Sequence, residues 1–109
     1  MRIIELGGRE IKIMGSPMTP FHYKKAFGQS LSGDLAAMAG IEEDPSKLDD
    51  INLLQMIWAM EKTVNKDIKP FVNWLSDFEY LNLDDVIADV VEEAMNATFR
   101  DKPQPKPEQ

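Results

Sequence analysis

The chain contains no cysteine and a single histidine, His22. Without cysteine there is no disulfide framework, no thiolate nucleophile and no cysteine-ligated zinc. With one imidazole no HExxH site exists, and any triad or relay would have to be built around His22 alone. That residue lies between Phe21 and Tyr23 on a short helical stretch, which reads as a partly exposed structural histidine rather than a catalytic base. Basic residues are also scarce: 12 Lys and Arg face 19 Asp and Glu, for a formal charge of −7. This balance repels phosphate backbones and anionic headgroups at a distance, so neither nucleic acid nor a membrane surface is an expected partner. Long apolar runs are missing too. Met1 to Leu6 passes straight into charge and glycine, without the roughly 7 to 15 apolar residues of a signal peptide. Nothing approaches the roughly 18 apolar residues that span a bilayer. The expected location is therefore the cytoplasm, where the N-glycosylation pattern Asn96-Ala97-Thr98 would meet no enzyme.

What is present is ordinary globular material: 43% hydrophobic and 28% charged residues over 109 positions, enough for one core and not for two. Arg2 to Leu6 and Arg9 to Ile13 are isoleucine-rich runs joined by Gly7-Gly8, a pair that supplies the positive φ angles of a two-residue hairpin turn. Ile4, Leu6, Ile11 and Ile13 alternate with Glu5 and Lys12, so one hairpin face is apolar and must pack on helices. Thr19-Pro20 predicts a cap and first position for a helix from Pro20 to about Phe27. Ser32 with Gly33-Asp34-Leu35 predicts a second short helix ending near Gly40. A third should start at Asp49-Asp50, whose acids suit the positive end of the helix dipole, and run to about Val64. Its apolar residues occupy nearly the whole circumference, which predicts a helix shared between the core and a partner chain.

Lys69-Pro70 should open a fourth helix in which Phe71, Trp74, Leu75 and Phe78 share one face. Asn82 is the expected cap of a fifth. There Leu83, Val86, Ile87, Val90, Val91 and Ala94 form the apolar stripe, with Asp85, Asp89, Glu92 and Glu93 away from it. The expected architecture is α+β, mainly α: an N-terminal β-hairpin packed on a bundle of about five helices. Residues 1–100 should form the single domain and 101–109, with prolines at alternate positions, are expected to be a disordered tail.

Constellations for chemistry are weak. The carboxylates from Asp84 to Glu93 read as the wet face of a helix, since no Asp-x-Asn-x-Asp-Gly loop accompanies them, and no metal or cofactor is expected. Gly7-Gly8 belongs to neither phosphate-binding glycine pattern. Residues 20–40 have the outline of a helix-turn-helix, but the second helix carries no Lys or Arg. Charge is uneven: residues 1–25 are net +3, while 77–93 hold seven acids and no base. This pattern suits plain solvation, head-to-tail attraction between subunits or recognition of a basic partner. Seven methionines are many for the length and suit either core gaps or surfaces that adapt to a partner. The expected partner surface comprises Met56, Trp58, Met60, Met95 and Phe99.

Several segments together carry a resemblance: the opening hairpin, Phe21-His22-Tyr23-Lys24-Lys25-Ala26-Phe27, Leu53-Leu54-Gln55-Met56-Ile57-Trp58-Ala59-Met60, Phe71-Val72-Asn73-Trp74-Leu75 and the acidic closing helix through Phe99. Over residues 1–100 the chain resembles the tail assembly chaperones of long-tailed phages and prophages of Gram-positive bacteria. The resemblance implies a non-enzymatic protein of the host cytoplasm that self-associates as a homo-oligomer. It would coat the tape measure protein before tail tube polymerisation and be absent from the mature virion. Some members are also made as a longer frameshifted product that recruits the tail tube protein, and Pro103 to Gln109 looks like the short form's tail or a linker. The family assigns no individual binding residues. The alternative is a small acidic regulatory protein, a nucleic-acid mimic or anti-repressor.

Overall fold

The computed structural model describes residues 1–38, 43–44, 46 and 48–98. Strands β1 (Arg2–Leu6) and β2 (Arg9–Ile13) are followed by helices α1 (Met18–Phe27), α2 (Leu31–Ala37), α3 (Asp50–Val64), α4 (Phe71–Ser76) and α5 (Leu83–Thr98). The fold is α+β and mainly α. The strands pair antiparallel with Arg2 opposite Ile13 and Leu6 opposite Arg9. Gly7 and Gly8 turn the chain at φ 59° and 79°, the left-handed region that a side chain resists. Alternation then sorts the faces: Ile4, Leu6, Ile11 and Ile13 are buried, while Ile3, Glu5, Glu10 and Lys12 are exposed.

The hairpin packs its apolar face on α3 and α5, and α1 lies across α3. Leu53, Leu54, Met56, Ile57, Trp58, Ala59 and Met60 are all buried, so the domain itself encloses the middle of the helix, while Ile51 and Val64 near its ends stay exposed. The hairpin supplies the missing cover. Two strands closing over the helix occupy the face that a bundle of short helices would leave open. An aromatic seam crosses this core. Tyr23 packs edge-on against Phe27, Phe27 against both Trp58 and Phe71, and Trp74 against Phe78, with centroids 5.0–5.4 Å apart.

Local signals are partly displaced. α1 begins at Met18, because Ser16 Oγ accepts from the Met18 N–H and Thr19 turns inward instead of capping. The buried Thr19 hydroxyl donates to the Met14 carbonyl and lies 2.9 Å from that of Thr63. α2 is capped by Ser30, two residues before the expected Ser32, with Ser30 Oγ accepting from the Gly33 N–H. Its expected end near Gly40 lies outside the described residues, as does the tail 101–109. Asp49 caps α3 as expected, accepting from the Asn52 N–H. α4 stops at Ser76, so Phe78 reaches the aromatic seam from the following segment rather than from the helix.

Candidate functional site

Of the residues expected to meet a partner, Met56 and Met60 have no exposed surface and Trp58 is 5% exposed. Trp58 is further fixed by its indole N–H, which donates to the Lys69 carbonyl at 2.8 Å. Met56 and Met60 are core, and a partner could touch them only after the domain opened, while Trp58 shows no more than an edge beside Phe21 and Lys62. Met95 is 46% exposed on α5, far from them in role, and Phe99 lies outside the described residues. The structure does not bring the four described residues together.

It brings together a different set. Between the first turns of α3 and the segment after α4 runs a groove of about 420 Å³, floored by Leu54 and walled by Ile51, Leu75, Phe78, Tyr80 and Leu81. Asp50 and Glu79 stand on its rim. Ile51 is 49%, Tyr80 60% and Leu81 40% exposed, a concentration of solvated apolar side chains on one concave surface.

The groove's outer wall is held by the hairpin turn. The Gly7 N–H donates to Asn82 Oδ1 at 2.7 Å, and Asn82 Nδ2 donates to the Glu5 carbonyl at 3.0 Å. A Cβ on Gly7 would lie 2.5 Å from the Tyr80 carbonyl oxygen, so this close approach also requires glycine. Asn82 therefore ties the 78–82 segment to the hairpin rather than using its side-chain oxygen as an α5 cap. Its main-chain oxygen accepts from the Asp85 N–H, and its side-chain Nδ2 also donates to Asp85 Oδ2 at 3.3 Å. The inner wall depends on Trp74, whose indole N–H donates to Glu61 Oε1 at 2.7 Å. Burial pushes the Glu61 carboxyl above its ordinary range, with the Trp74 bond and Arg9 opposing. Arg9 also sits over the Phe78 ring, 4.8 Å from its centroid.

Chemically the groove offers apolar contact and two carboxylates at its edge. It suits a helix that presents apolar side chains along one face and a cation beside them. Sequence periodicity missed it because Tyr80 and Leu81 fall in no helical stripe. Their signal was the presence of two large apolar side chains in a connection only six residues long, from Asp77 to Asn82.

Among the described residues no group of three His, Asp or Glu side chains is placed to hold a metal ion, and no helix is long and apolar enough to cross a membrane. No family model, curated protein or solved structure matches the chain.

The charge asymmetry of the sequence closes partly within the chain. Arg2 donates to Glu93 and Asp89 and pairs with Glu92, at 2.8–3.1 Å. Glu93, expected on the wet face, is buried at the edge of the α5 stripe, where its other oxygen accepts from the Gly15 N–H at 2.9 Å. A Cβ on Gly15 would lie 1.9 Å from the Glu93 carbonyl oxygen.

Proposed function

We propose that the chain is a non-enzymatic phage tail assembly chaperone that holds an amphipathic helix of the tape measure protein in the acid-rimmed groove between α3 and residues 75–81. The observation that carries the reading is the groove's combination of exposed Ile51, Tyr80 and Leu81 with Asp50 and Glu79 at its rim. A tape measure protein is a long, partly apolar helical chain that aggregates when bare, and helix-in-groove packing shields such a face. The resemblance over residues 1–100 supports the same assignment. On this reading the protein acts in the host cytoplasm, has the tail tube protein as a second partner, and leaves before the virion is complete.

Co-expression with the tape measure protein of the same phage or prophage tests this. The chain should keep that protein soluble, and Ile51→Asp with Leu81→Asp should abolish the effect while circular dichroism stays unchanged, because a carboxylate facing an apolar partner is desolvated without a mate. Salt should weaken binding little. Strong salt sensitivity, with Asp84→Lys more damaging than the groove pair, would instead favour the acidic regulatory protein, a reading supported by the carboxylates exposed along α5.

A further inference from the structure

The hairpin turn and the outer wall of the α3 groove are one construction. Phe78 and Tyr80 both line the groove, and both meet the turn from behind. A Cβ on Gly7 would lie 2.8 Å from the Phe78 ring as well as against the Tyr80 carbonyl, and the Arg9 guanidinium sits over the same Phe78 ring. Gly8 touches Tyr80 differently. A Cβ there would lie 3.0 Å from the Tyr80 hydroxyl oxygen and 3.8 and 3.9 Å from two ring carbons, so it meets only the far end of a side chain. Gly7 thus fixes where the Tyr80 backbone runs, and Gly8 leaves open the place in which the Tyr80 ring lies.

That support bears on what the ring can do. Tyr80 is more exposed than Ile51 or Leu81 beside it. A tyrosine offers a large, rigid contact area governed by two χ angles, and binding energy at interfaces concentrates in a few such aromatic side chains. An exposed side chain ordinarily loses rotamer freedom when a partner immobilises it. Tyr80 already rests on the turn, so less freedom is left to lose. Phe78, partly buried and packed against Trp74, is committed to the aromatic seam instead.

We propose that Tyr80 is the anchor for a helix bound in the α3 groove and that Gly8 is its positioning residue. A side chain at Gly8 displaces the ring and weakens binding while the fold stays intact. This role rests on the groove's holding an amphipathic helix, whichever protein supplies that helix.

Calorimetric titration of the full chain with a leucine–lysine amphipathic peptide of about five helical turns tests it. Tyr80→Ala should bind at least about thirtyfold more weakly, the loss expected of an interfacial hot spot, and Tyr80→Phe within about twofold of wild type. Gly8→Asn should bind about tenfold more weakly, the upper range for immobilising one side chain. Asparagine accepts the left-handed φ of 79°, so the backbone stays and the ring gives way. Gly8→Asn combined with Tyr80→Ala should bind no worse than Tyr80→Ala alone, because nothing is left to position. A glycine needed only for the fold would add its loss to that of the ring. If Gly8→Asn fails to melt cooperatively, the Gly8 amide resonance of the wild type decides. Gly8 does not line the groove, yet its signal should shift when the peptide is added and stay still in Tyr80→Ala. A peptide that does not bind, or whose binding survives Ile51→Asp with Leu81→Asp, overturns the groove assignment and the anchor with it. Binding that this pair abolishes but a folded Gly8→Asn leaves unchanged overturns the anchor alone. Additive losses in the double variant, or a Gly8 resonance that ignores the peptide, do the same.

Discussion

Helices α3 and α5 are 15 and 16 residues long, and the sequence makes them look like opposites: one apolar nearly all round, the other cleanly striped. The first resembled a surface waiting for a partner and the second an ordinary outer helix. In the structure α3 is enclosed from Leu53 to Met60 by the hairpin, α1 and α5, whereas α5 keeps Asp84, Asp85, Ala88, Asp89, Glu92 and Met95 in solvent along its length. All-round apolarity reports how many neighbours a helix has within its own fold. A clean stripe reports that a face is left over, and such faces are where another chain can sit.

The sharpest way to break this contrast is to truncate α3. Ile57→Ala, at a position with no exposed surface, should cost about 2–5 kcal/mol through lost burial and a residual cavity, read by urea denaturation. A cost under about 0.5 kcal/mol, typical of surface sites, would mean that α3 is not the enclosed helix described.

Next in size is the one α5 carboxylate that faces inward. Glu93→Ala removes the most buried of the three Arg2 partners and strands the Gly15 N–H, and should cost about 2 kcal/mol, near the worth of a hydrogen bond to a charged group. Glu92→Ala, on the solvated side of the same arginine, should cost well under half of that.

A smaller, pH-dependent effect belongs to Glu61. Its folded-state pKa is raised, so the folded form binds its proton more tightly than the unfolded chain does. Stability from this group is therefore full below its unfolded pKa and falls as pH rises through the folded value. Glu61→Gln keeps an oxygen for the Trp74 indole and removes the charge. The variant should lose that acid-side decline and melt slightly higher than wild type at neutral pH, as calorimetry across pH would show. The smallest effect is expected on the outer face: Met95→Ser should leave stability within about 0.5 kcal/mol.

Much of the fold was legible because its signals are local and periodic. Gly7-Gly8 between alternating strands, Asp49 before α3 and the Leu83-to-Ala94 stripe each state their structure within a dozen residues. The burial of Met56 and Met60 is not legible along the chain, because helical periodicity says which side chains are apolar, not what covers them, and the cover here is a hairpin some fifty residues away. Glu93 reads as a solvated acid along the chain because its partner is Arg2, 91 positions earlier. The candidate groove was least legible. Tyr80 and Leu81 stand in a connection whose path is set by Gly7 and Asn82, and no pattern along the chain announces a contact between a turn and a loop.

That stitching between distant parts also governs how the domain can form. Gly7 is bonded to a side chain 75 residues on and Gly15 to one 78 residues on. A two-stranded hairpin is marginal alone, so β1 and β2 are made before α5 but gain a lasting seat only when α5 has followed. Until then the apolar faces of the hairpin and of α3 are bare together in the nascent chain. Closing loops of that length sets a slow, late step, and a chain truncated before Asn82 would be a substrate for the cell's holdases rather than a smaller version of the domain.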